Sequence, residues 1–234
     1  MTDRYAVIGN PIAHSKSPQI HKMFAEQTGQ DIRYEAILAP LDGFAATVER
    51  LRNEGYKGCN VTVPFKFEAF GIAANLHQRA QAAKAANTLW FKDSEIHGDN
   101  TDGVGLIRDI EHNLGISLQG KRILLMGTGG AAWGVAVPLL LANVASVTIG
   151  YRNENKAQQL LKDISLTSML LQLSLKKGQL ISRSYTNLID EPITSEQQFD
   201  VVINSTSSGL SDEMPLLRSG QIPLNPPFTK GEAS

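Results

Sequence analysis

The sequence predicts an α/β fold built from two successive domains, the first with a mostly parallel sheet. Three observations lead to this prediction. Short apolar runs alternate with helical patterns through the first hundred residues, a second such series begins near Asp102, and a glycine-rich turn at residues 127–132 joins a strand to a helix. Strands that alternate with helices place those helices on the faces of a parallel sheet. We therefore expect one domain over residues 1–101 and another over residues 102–215.

The elements of the first domain follow from strand-length apolar runs and from apolar residues at helical spacing. Ser17 followed by Pro18 is typical of a helix that begins with a capping hydroxyl and a proline, and Gly29 predicts its end. Pro64 ends a strand, because proline lacks the N–H that a sheet requires. We predict strands at residues 5–8, 34–38 and 59–63, helices at residues 17–28, 44–54 and 78–86, and a hairpin of residues 87–91 and 95–97.

The second domain is predicted from the same signals. Its elements are a helix through residues 104–114, a strand at 122–126, a helix at 132–141, and strands at 146–149 and 200–204. Residues 165–194 remain unassigned, because their leucines match neither the helical nor the strand period. Residues 216–234 are rich in proline and glycine and lack periodicity, so we expect them to be disordered.

Composition excludes several classes of protein. The 234 residues are 42% hydrophobic and 19% charged, and the net charge is −1, so neither nucleic acid nor an anionic membrane is an expected partner. The polar start does not resemble a signal peptide, and the single Cys59 fits a reducing compartment. We expect a soluble, cytoplasmic protein. We expect no metal, because no metal-ligand spacing links the histidines, which are His14, His21, His77, His97 and His112.

The glycine-rich turn at residues 127–132 predicts a dinucleotide site. Its glycines lie between a buried strand and a helix, where backbone amides approach a pyrophosphate at the positive helix end. An NAD site usually has an acidic residue at the end of the next strand, but Arg152 lies there, followed by Lys156. These cations favour the 2′-phosphate of NADP, although Glu154 lies between them. The alternative is a glycine turn in another kind of α/β domain.

Two polar loops contain residues suited to acid–base chemistry. Lys66 ends residues 60–66, and Asp102 belongs to a run of carboxylates, amide and hydroxyl between Gly98 and Gly103. An ammonium and a carboxylate from separate loops can hold each other in place and transfer a proton. The alternative for Lys66 is a solvated lysine on the protein surface.

Ser15 and Ser17 are candidate substrate-binding residues, because their hydroxyls can donate to a hydroxylated acid. The alternative for Ser17 is that it only caps a helix.

Five motifs in this order closely resemble those of the shikimate dehydrogenases, the NADP-dependent enzymes of aromatic amino-acid biosynthesis. The resemblance covers residues 4–160 strongly and then residues 199–209. The motifs are residues 10–18 (Asn-Pro-Ile-Ala-His-Ser-Lys-Ser-Pro), 60–66 (Asn-Val-Thr-Val-Pro-Phe-Lys), 86–89 (Ala-Asn-Thr-Leu), 98–105 (Gly-Asp-Asn-Thr-Asp-Gly-Val-Gly) and 204–209 (Asn-Ser-Thr-Ser-Ser-Gly).

The resemblance implies a reversible reduction of 3-dehydroshikimate to shikimate by NADPH, in a substrate domain followed by a Rossmann-type NADP-binding domain. It implies that Lys66 and Asp102 are the catalytic pair. The side chains implied to bind substrate are Ser15, Ser17, Thr62, Asn87 and Asp102. The residues implied to bind NADP are Gly127, Thr128, Gly129, Gly130, Ala131, Arg152, Lys156, Thr206 and Ser207. Related proteins are monomers or homodimers, and the same is expected here.

The sequence also departs from the family pattern. The family's asparagine before the arginine is replaced by Tyr151, and the strand, tyrosine loop, glycine loop and helix pair that follow Gly209 in the family are not recognisable here. An incomplete Rossmann-type domain has an unpaired sheet edge, so we expect low stability and reduced or absent activity. Two alternatives therefore remain. One is a quinate/shikimate dehydrogenase of broader specificity, and the other is a non-catalytic truncated remnant that only binds ligand.

Overall fold

The structure is a computed structural model that describes residues 2–190 and 198–206. It divides into two compact units, Met1–Asp102 and Gly103–Ser234. Across the described ranges, no helix combines the length and the apolarity that a membrane span requires. The elements of the first unit are β1 Asp3–Gly9, α1 Ser17–Thr28, β2 Ile32–Leu38, α2 Phe44–Asn53, β3 Gly58–Val61, α3 Lys66–Ile72, β4 Asn75–Leu76, α4 Gln78–Ala83, β5 Thr88–Lys92 and β6 Glu95–Asp99.

The second unit continues from the helix that begins at the unit boundary. This helix, α5 Asp102–Arg108, runs directly into a π-helical turn, Asp109–Asn113. The remaining elements are β7 Arg122–Met126, α6 Gly130–Leu141, β8 Ser146–Tyr151, α7 Glu154–Leu170, β9 Leu180–Ser184, α8 Tyr185–Asp190 and β10 Val201–Asn204.

The first unit contains a six-stranded sheet in the order β2-β1-β3-β5-β6-β4. Strand β1 pairs in parallel with β2 and β3, and β4 pairs in parallel with β6. Strand β5 runs antiparallel to both of its neighbours, β3 and β6. The predicted hairpin of β5 and β6 is therefore confirmed, and the sheet is mixed. The reversal of β5 brings its start to the edge at which β3 and β6 end.

A continuous apolar core packs against the sheet of the first unit. It includes Ile8 of β1, Phe44 and Leu51 of α2, and Phe65 just before α3, all nearly inaccessible to solvent. The rings of Phe44 and Phe65 stack with their centroids 4.9 Å apart. This packing fixes Phe65, and it thereby fixes the start of α3 at the neighbouring Lys66.

The second unit contains a parallel four-stranded sheet in the order β10-β7-β8-β9. Residues Ile123, Leu124, Leu125 and Met126 of β7 are all essentially inaccessible, as expected for a strand with both faces covered. The predicted succession of strand, glycine turn, helix and strand at residues 122–149 is confirmed by β7, α6 and β8.

The unassigned stretch of residues 165–194 begins inside a helix. Helix α7 continues to Leu170, and β9 and α8 follow it. The helical period could not be recognised in the sequence, because near the end of α7 the buried residues are polar and the exposed residues are apolar. Thr167 and Ser168 are buried there, whereas Met169 is 74% exposed and Leu170 is 77% exposed. Apolar side chains on the solvent face remove the signal on which a helical pattern depends.

Other boundaries also differ from the prediction. Helix α3 and the short β4 were not predicted, and α4 ends at Ala83 because Lys84 adopts a left-handed conformation with φ of 47°. The N-cap of α1 is Lys16, not Ser17, and Ser17 lies in the first turn. The peptide bonds before Pro11 and Pro64 are cis. The expected disorder of residues 216–234 lies outside the described residues, as does the expected incompleteness beyond Gly209.

Gly58 lies where β3 approaches β5 too closely for any side chain. A Cβ atom at this position would lie 2.4 Å from the carbonyl oxygen of Leu89. We expect Gly58→Ala to lower the free energy of unfolding by about 1–3 kcal/mol, since two paired strands would have to separate. The control is Gly71→Ala in α3, where a Cβ would meet no atom within 4 Å. Urea unfolding measures both variants, and equal midpoints would contradict the prediction.

Candidate active site

Lys66 and Asp102 form a close ion pair within the first unit. The distance from Lys66 Nζ to Asp102 Oδ2 is 2.6 Å, and the side chains are only 14% and 26% exposed. An amine this far from water needs a partner, because an unpaired buried charge is costly. Lys66 is therefore not a solvated surface lysine. The carboxylate holds the ammonium in a defined position while leaving part of the pair accessible.

Asn87 completes the arrangement around this carboxylate. Its Nδ2 atom donates to the second oxygen of Asp102, Oδ1, at 2.6 Å. The backbone N–H of Thr101 donates to Asn87 Oδ1 at 3.0 Å. A backbone N–H can only donate, so this contact fixes which end of the Asn87 amide faces Asp102. Both oxygens of the carboxylate thus accept a hydrogen bond, one from an ammonium and one from an amide.

The sheet topology explains why these three residues meet. Lys66 follows β3, Asn87 immediately precedes β5, and Asp102 follows β6. Because β5 is antiparallel to both neighbours, its start shares one sheet edge with the ends of β3 and β6. The structure therefore brings together Lys66, Asp102 and Asn87, which the sequence placed in three separate motifs.

The loop that presents Asp102 is held by a second carboxylate of the same motif. Asp99 is buried, and Arg79 of α4 contacts both of its oxygens, through Nε at 3.1 Å and through Nη2. Asn100 is also buried, and its side chain bonds the Ala85 carbonyl and accepts from the backbone N–H of Asp102. Sequence reasoning missed Arg79 and Asn100. The only signal for Asn100 was the density of polar residues in its motif, which does not distinguish a supporting side chain from a reactive one, and Arg79 lies outside the five motifs.

The other predicted substrate residues lie in the first unit with their hydroxyls available. The Oγ atom of Ser15 accepts a hydrogen bond from the backbone N–H of Ser17 at 3.3 Å. Ser17 is half-buried, and within the described part of the chain its own hydroxyl has no hydrogen-bond partner. The same holds for the half-buried hydroxyl of Thr62, whose backbone pairs with Ile8. Capping therefore does not account for Ser17.

The glycine turn of the second unit has the backbone that a pyrophosphate site requires. Gly127 has a φ of 107°, and a Cβ atom there would lie 3.1 Å from Ser205 Oγ and from Thr206 Cγ2. Gly129 is the N-cap of α6, and a Cβ there would meet no atom within 4 Å. The space in front of the first turn of α6 is thus open to a phosphate group. Thr128, Gly130 and Ala131 lie in the same turn, whereas Ser207 is outside the described residues.

The predicted phosphate cations lie just beyond β8. Arg152 and Lys156 are exposed, and within the described ranges neither forms an ion pair, with Glu154 or with any other carboxylate. The guanidinium carbon of Arg152 lies 6.0 Å from the centroid of the Tyr185 ring. Asn153 caps α7 by accepting from the backbone N–H of Lys156 at 3.0 Å. The cap brings both cations close to the start of α7, where an anion is favoured.

Comparisons with known proteins show which family the chain resembles. Residues 7–89 match the family model described as the shikimate dehydrogenase substrate binding domain. The NADP(+) shikimate dehydrogenase of Methylobacillus flagellatus is 52% identical over 93% of this chain and 75% of its own length, and that of Nitrosospira multiformis is 51% identical over 94% and 74%. A similar solved structure is the Thermus thermophilus shikimate 5-dehydrogenase in complex with NADP(H) and shikimate. It has a TM-score of 0.71 and 27% identity, covering 88% of this chain and 69% of that one.

Removing Arg79 tests the support of the loop. Arg79→Ala leaves the buried Asp99 carboxylate without its two-point partner, so we expect the free energy of unfolding to fall by about 2 kcal/mol. The matched control is Arg50→Ala, which removes an exposed pair with Glu54. That pair contributes at most about 0.5 kcal/mol. Urea unfolding at neutral pH measures both, and equal losses would show that Asp99 does not depend on Arg79.

Proposed function

The chain belongs to the shikimate dehydrogenase family, and we propose that it reduces 3-dehydroshikimate to shikimate reversibly with NADPH, using Lys66 and Asp102 as its catalytic pair. The observation that carries this proposal is the 2.6 Å contact between the Lys66 ammonium and the Asp102 carboxylate, both largely removed from water. We assign substrate binding to the unit that contains this pair, and cofactor binding to the unit that contains the glycine turn. The reaction belongs to chorismate and aromatic amino-acid biosynthesis.

Lys66 acts on the oxygen of the ketone. As the carbonyl carbon is reduced, negative charge develops on that oxygen, and an ammonium beside it stabilises the charge. The Lys66 Nζ atom then donates a proton to the oxygen to give the alcohol, and the neutral amine is reprotonated from solvent. In the reverse direction the amine accepts the hydroxyl proton.

Asp102 and Asn87 keep Lys66 in place for this proton transfer. Asp102 holds the ammonium through Oδ2, and Asn87 holds the carboxylate through Oδ1. A flexible lysine side chain loses much of its freedom when it is fixed in this way, so that loss does not have to occur during the reaction. Asp102 and Asn87 also offer an acceptor and a donor to the ring hydroxyls of the substrate.

The substrate carboxylate is assigned to the neutral hydroxyls of Ser15, Ser17 and Thr62. Ser17 and Thr62 are supported by the absence of any other hydrogen-bond partner for their hydroxyls within the described residues. Neutral donors bind a carboxylate without an additional positive charge near Lys66. The Lys66 ammonium is then not repelled by a second cation.

The residues present fit NADP. Gly127, Thr128, Gly129, Gly130 and Ala131 offer the start of α6 to a pyrophosphate, because Gly127 allows the turn its φ of 107° and a Cβ at Gly129 would meet no atom within 4 Å. Bound NADPH supplies the hydride that reduces the ketone carbon.

The 2′-phosphate is assigned to Arg152 and Lys156, which have no carboxylate partner among the described residues. Thr206 follows β10 beside Gly127, and we place it near the cofactor together with Ser207. The two alternatives, a broader quinate activity and a remnant that only binds ligand, are not favoured by relatives named as NADP(+) shikimate dehydrogenases.

We place this reaction in the cytoplasm, with a small molecule as the partner. The single cysteine, Cys59, is a buried free thiol, and burial raises its pKa to about 12. Such a thiol is an inert core group, and the absence of any second cysteine fits a reducing compartment.

The activity is tested by following NADPH absorbance with 3-dehydroshikimate, in parallel with dehydroquinate and with NADH. We expect Lys66→Ala to lower kcat by about 10²–10⁴-fold, since it removes the proton donor, with little change in KM. The control is Lys57→Ala, which removes an exposed lysine of the same unit. Turnover of the Lys66 variant close to that of the wild type would remove this residue from the mechanism.

The cofactor assignment is tested by Arg152→Ala. Loss of the guanidinium should raise the KM for NADPH roughly tenfold to a hundredfold, because a charge-assisted hydrogen bond to phosphate is lost, and it should leave the KM for NADH unchanged. Lys162→Ala removes an exposed lysine farther along α7 and serves as the control. An equal loss with both nucleotides would show that Arg152 does not read the 2′-phosphate.

A further inference from the structure

We propose that Tyr34, Asn60 and Thr88 are positioning residues, which hold Asn87, and through it Asp102, in the geometry that the reaction requires. The inference rests on the proposed function of the Lys66–Asp102 pair. Its basis is a continuous chain of side-chain hydrogen bonds inside the first unit that begins at Tyr34 and ends at Asp102.

The first step of the chain lies next to the catalytic pair. The Oδ1 atom of Asn87 accepts from Thr88 Oγ1 at 2.9 Å and from the Thr101 backbone N–H at 3.0 Å, while the Thr101 hydroxyl lies within hydrogen-bond distance of both ends of the Asn87 amide. Its amide NH₂ is therefore directed to Asp102 Oδ1. The Thr101 N–H decides the orientation of the amide, and the Thr88 hydroxyl adds a second contact to the same oxygen from strand β5.

The second step fixes the Thr88 hydroxyl. Asn60 Nδ2 lies 3.2 Å from Thr88 Oγ and donates to it. Because this donor takes up one lone pair, the single hydroxyl proton of Thr88 is left to point at Asn87. Asn60 and Thr88 are directly opposed in the antiparallel pairing of β3 and β5, so backbone geometry sets their separation.

The third step fixes the Asn60 amide. The Tyr34 hydroxyl donates to Asn60 Oδ1 at 2.6 Å, which leaves the Asn60 NH₂ free to donate onward to Thr88. His21 of α1 stacks on the Tyr34 ring, with centroids 4.1 Å apart and planes within 5°. Burial raises the pKa of Tyr34, so its hydroxyl stays protonated and remains a donor at neutral pH.

All donors in this chain point in one direction, from Tyr34 towards the Asp102 carboxylate. Hydrogen bonds aligned in this way polarise one another, so the last bond to the carboxylate is stronger than an isolated one. All three residues lie on paired strands, which move less than loops. The chain thus links the position of Asp102, the first residue of α5, to three strands of the sheet.

The test compares Thr88→Val with Thr88→Ser. The valine variant keeps the shape but loses the hydroxyl, and we expect kcat to fall roughly threefold to tenfold, the effect of one hydrogen bond, with an unchanged KM for substrate. The serine variant keeps the hydroxyl and should restore kcat. Tyr34→Phe should lower kcat by a smaller factor. The control is Thr47→Val, which removes a buried hydroxyl that donates to the carbonyl of Gly43, the N-cap of α2.

A double-variant cycle separates positioning from general destabilisation. In an Asn87→Ala background, Thr88→Val should have no further effect on kcat, because its only route to Asp102 has been removed. If the two losses multiply instead, or if Thr88→Val leaves kcat unchanged, the inference is overturned.

A second readout does not depend on turnover. The carboxyl ¹³C resonance of Asp102 should shift in Thr88→Val, but not in Thr88→Ser or Thr47→Val. If the wild type is inactive while this resonance shifts as described, the proposed function fails and the positioning stands. An unchanged resonance in Thr88→Val overturns the positioning, whatever the activity.

Discussion

The ion pair between Lys66 and Asp102 is the constraint on which the rest of the site depends. A lysine that is 14% exposed has lost most of its hydration, and only a carboxylate at 2.6 Å makes that loss tolerable. The Asp102 carboxylate must itself be held in place. Asn87 donates a hydrogen bond to it, and the Arg79–Asp99 pair holds the segment that precedes it. The architecture of the first unit therefore serves to keep two charges close together.

The direction of one strand makes this arrangement possible. If β5 ran parallel to β3 and β6, its start would lie at the opposite edge of the sheet, far from Lys66 and Asp102. Because β5 is antiparallel, Asn87 emerges between the ends of its two neighbours. The hairpin of β5 and β6 is therefore needed to bring Asn87 to Lys66 and Asp102.

Much of this arrangement could be predicted from the sequence, because strong local signals coincide with it. Proline and glycine mark the ends of β3 and α1, and a glycine turn after the buried β7 marks the start of α6. The separate roles of Asp99 and Asp102 could not be predicted, since two carboxylates in one short motif look alike until burial and Arg79 distinguish them. The end of α7 was missed because Thr167 is buried and Leu170 is exposed there, the reverse of what hydrophobicity indicates.

The cations beyond β8 have a consequence of a different kind. Arg152 and Lys156 are exposed, support no core packing, and belong to a different unit from Lys66 and Asp102. Under the proposed assignment of the 2′-phosphate to these cations, substitution of a few surface side chains is enough to change which reduced nucleotide the protein accepts. Such substitutions leave the Lys66–Asp102 pair, and the sheet that supports it, untouched.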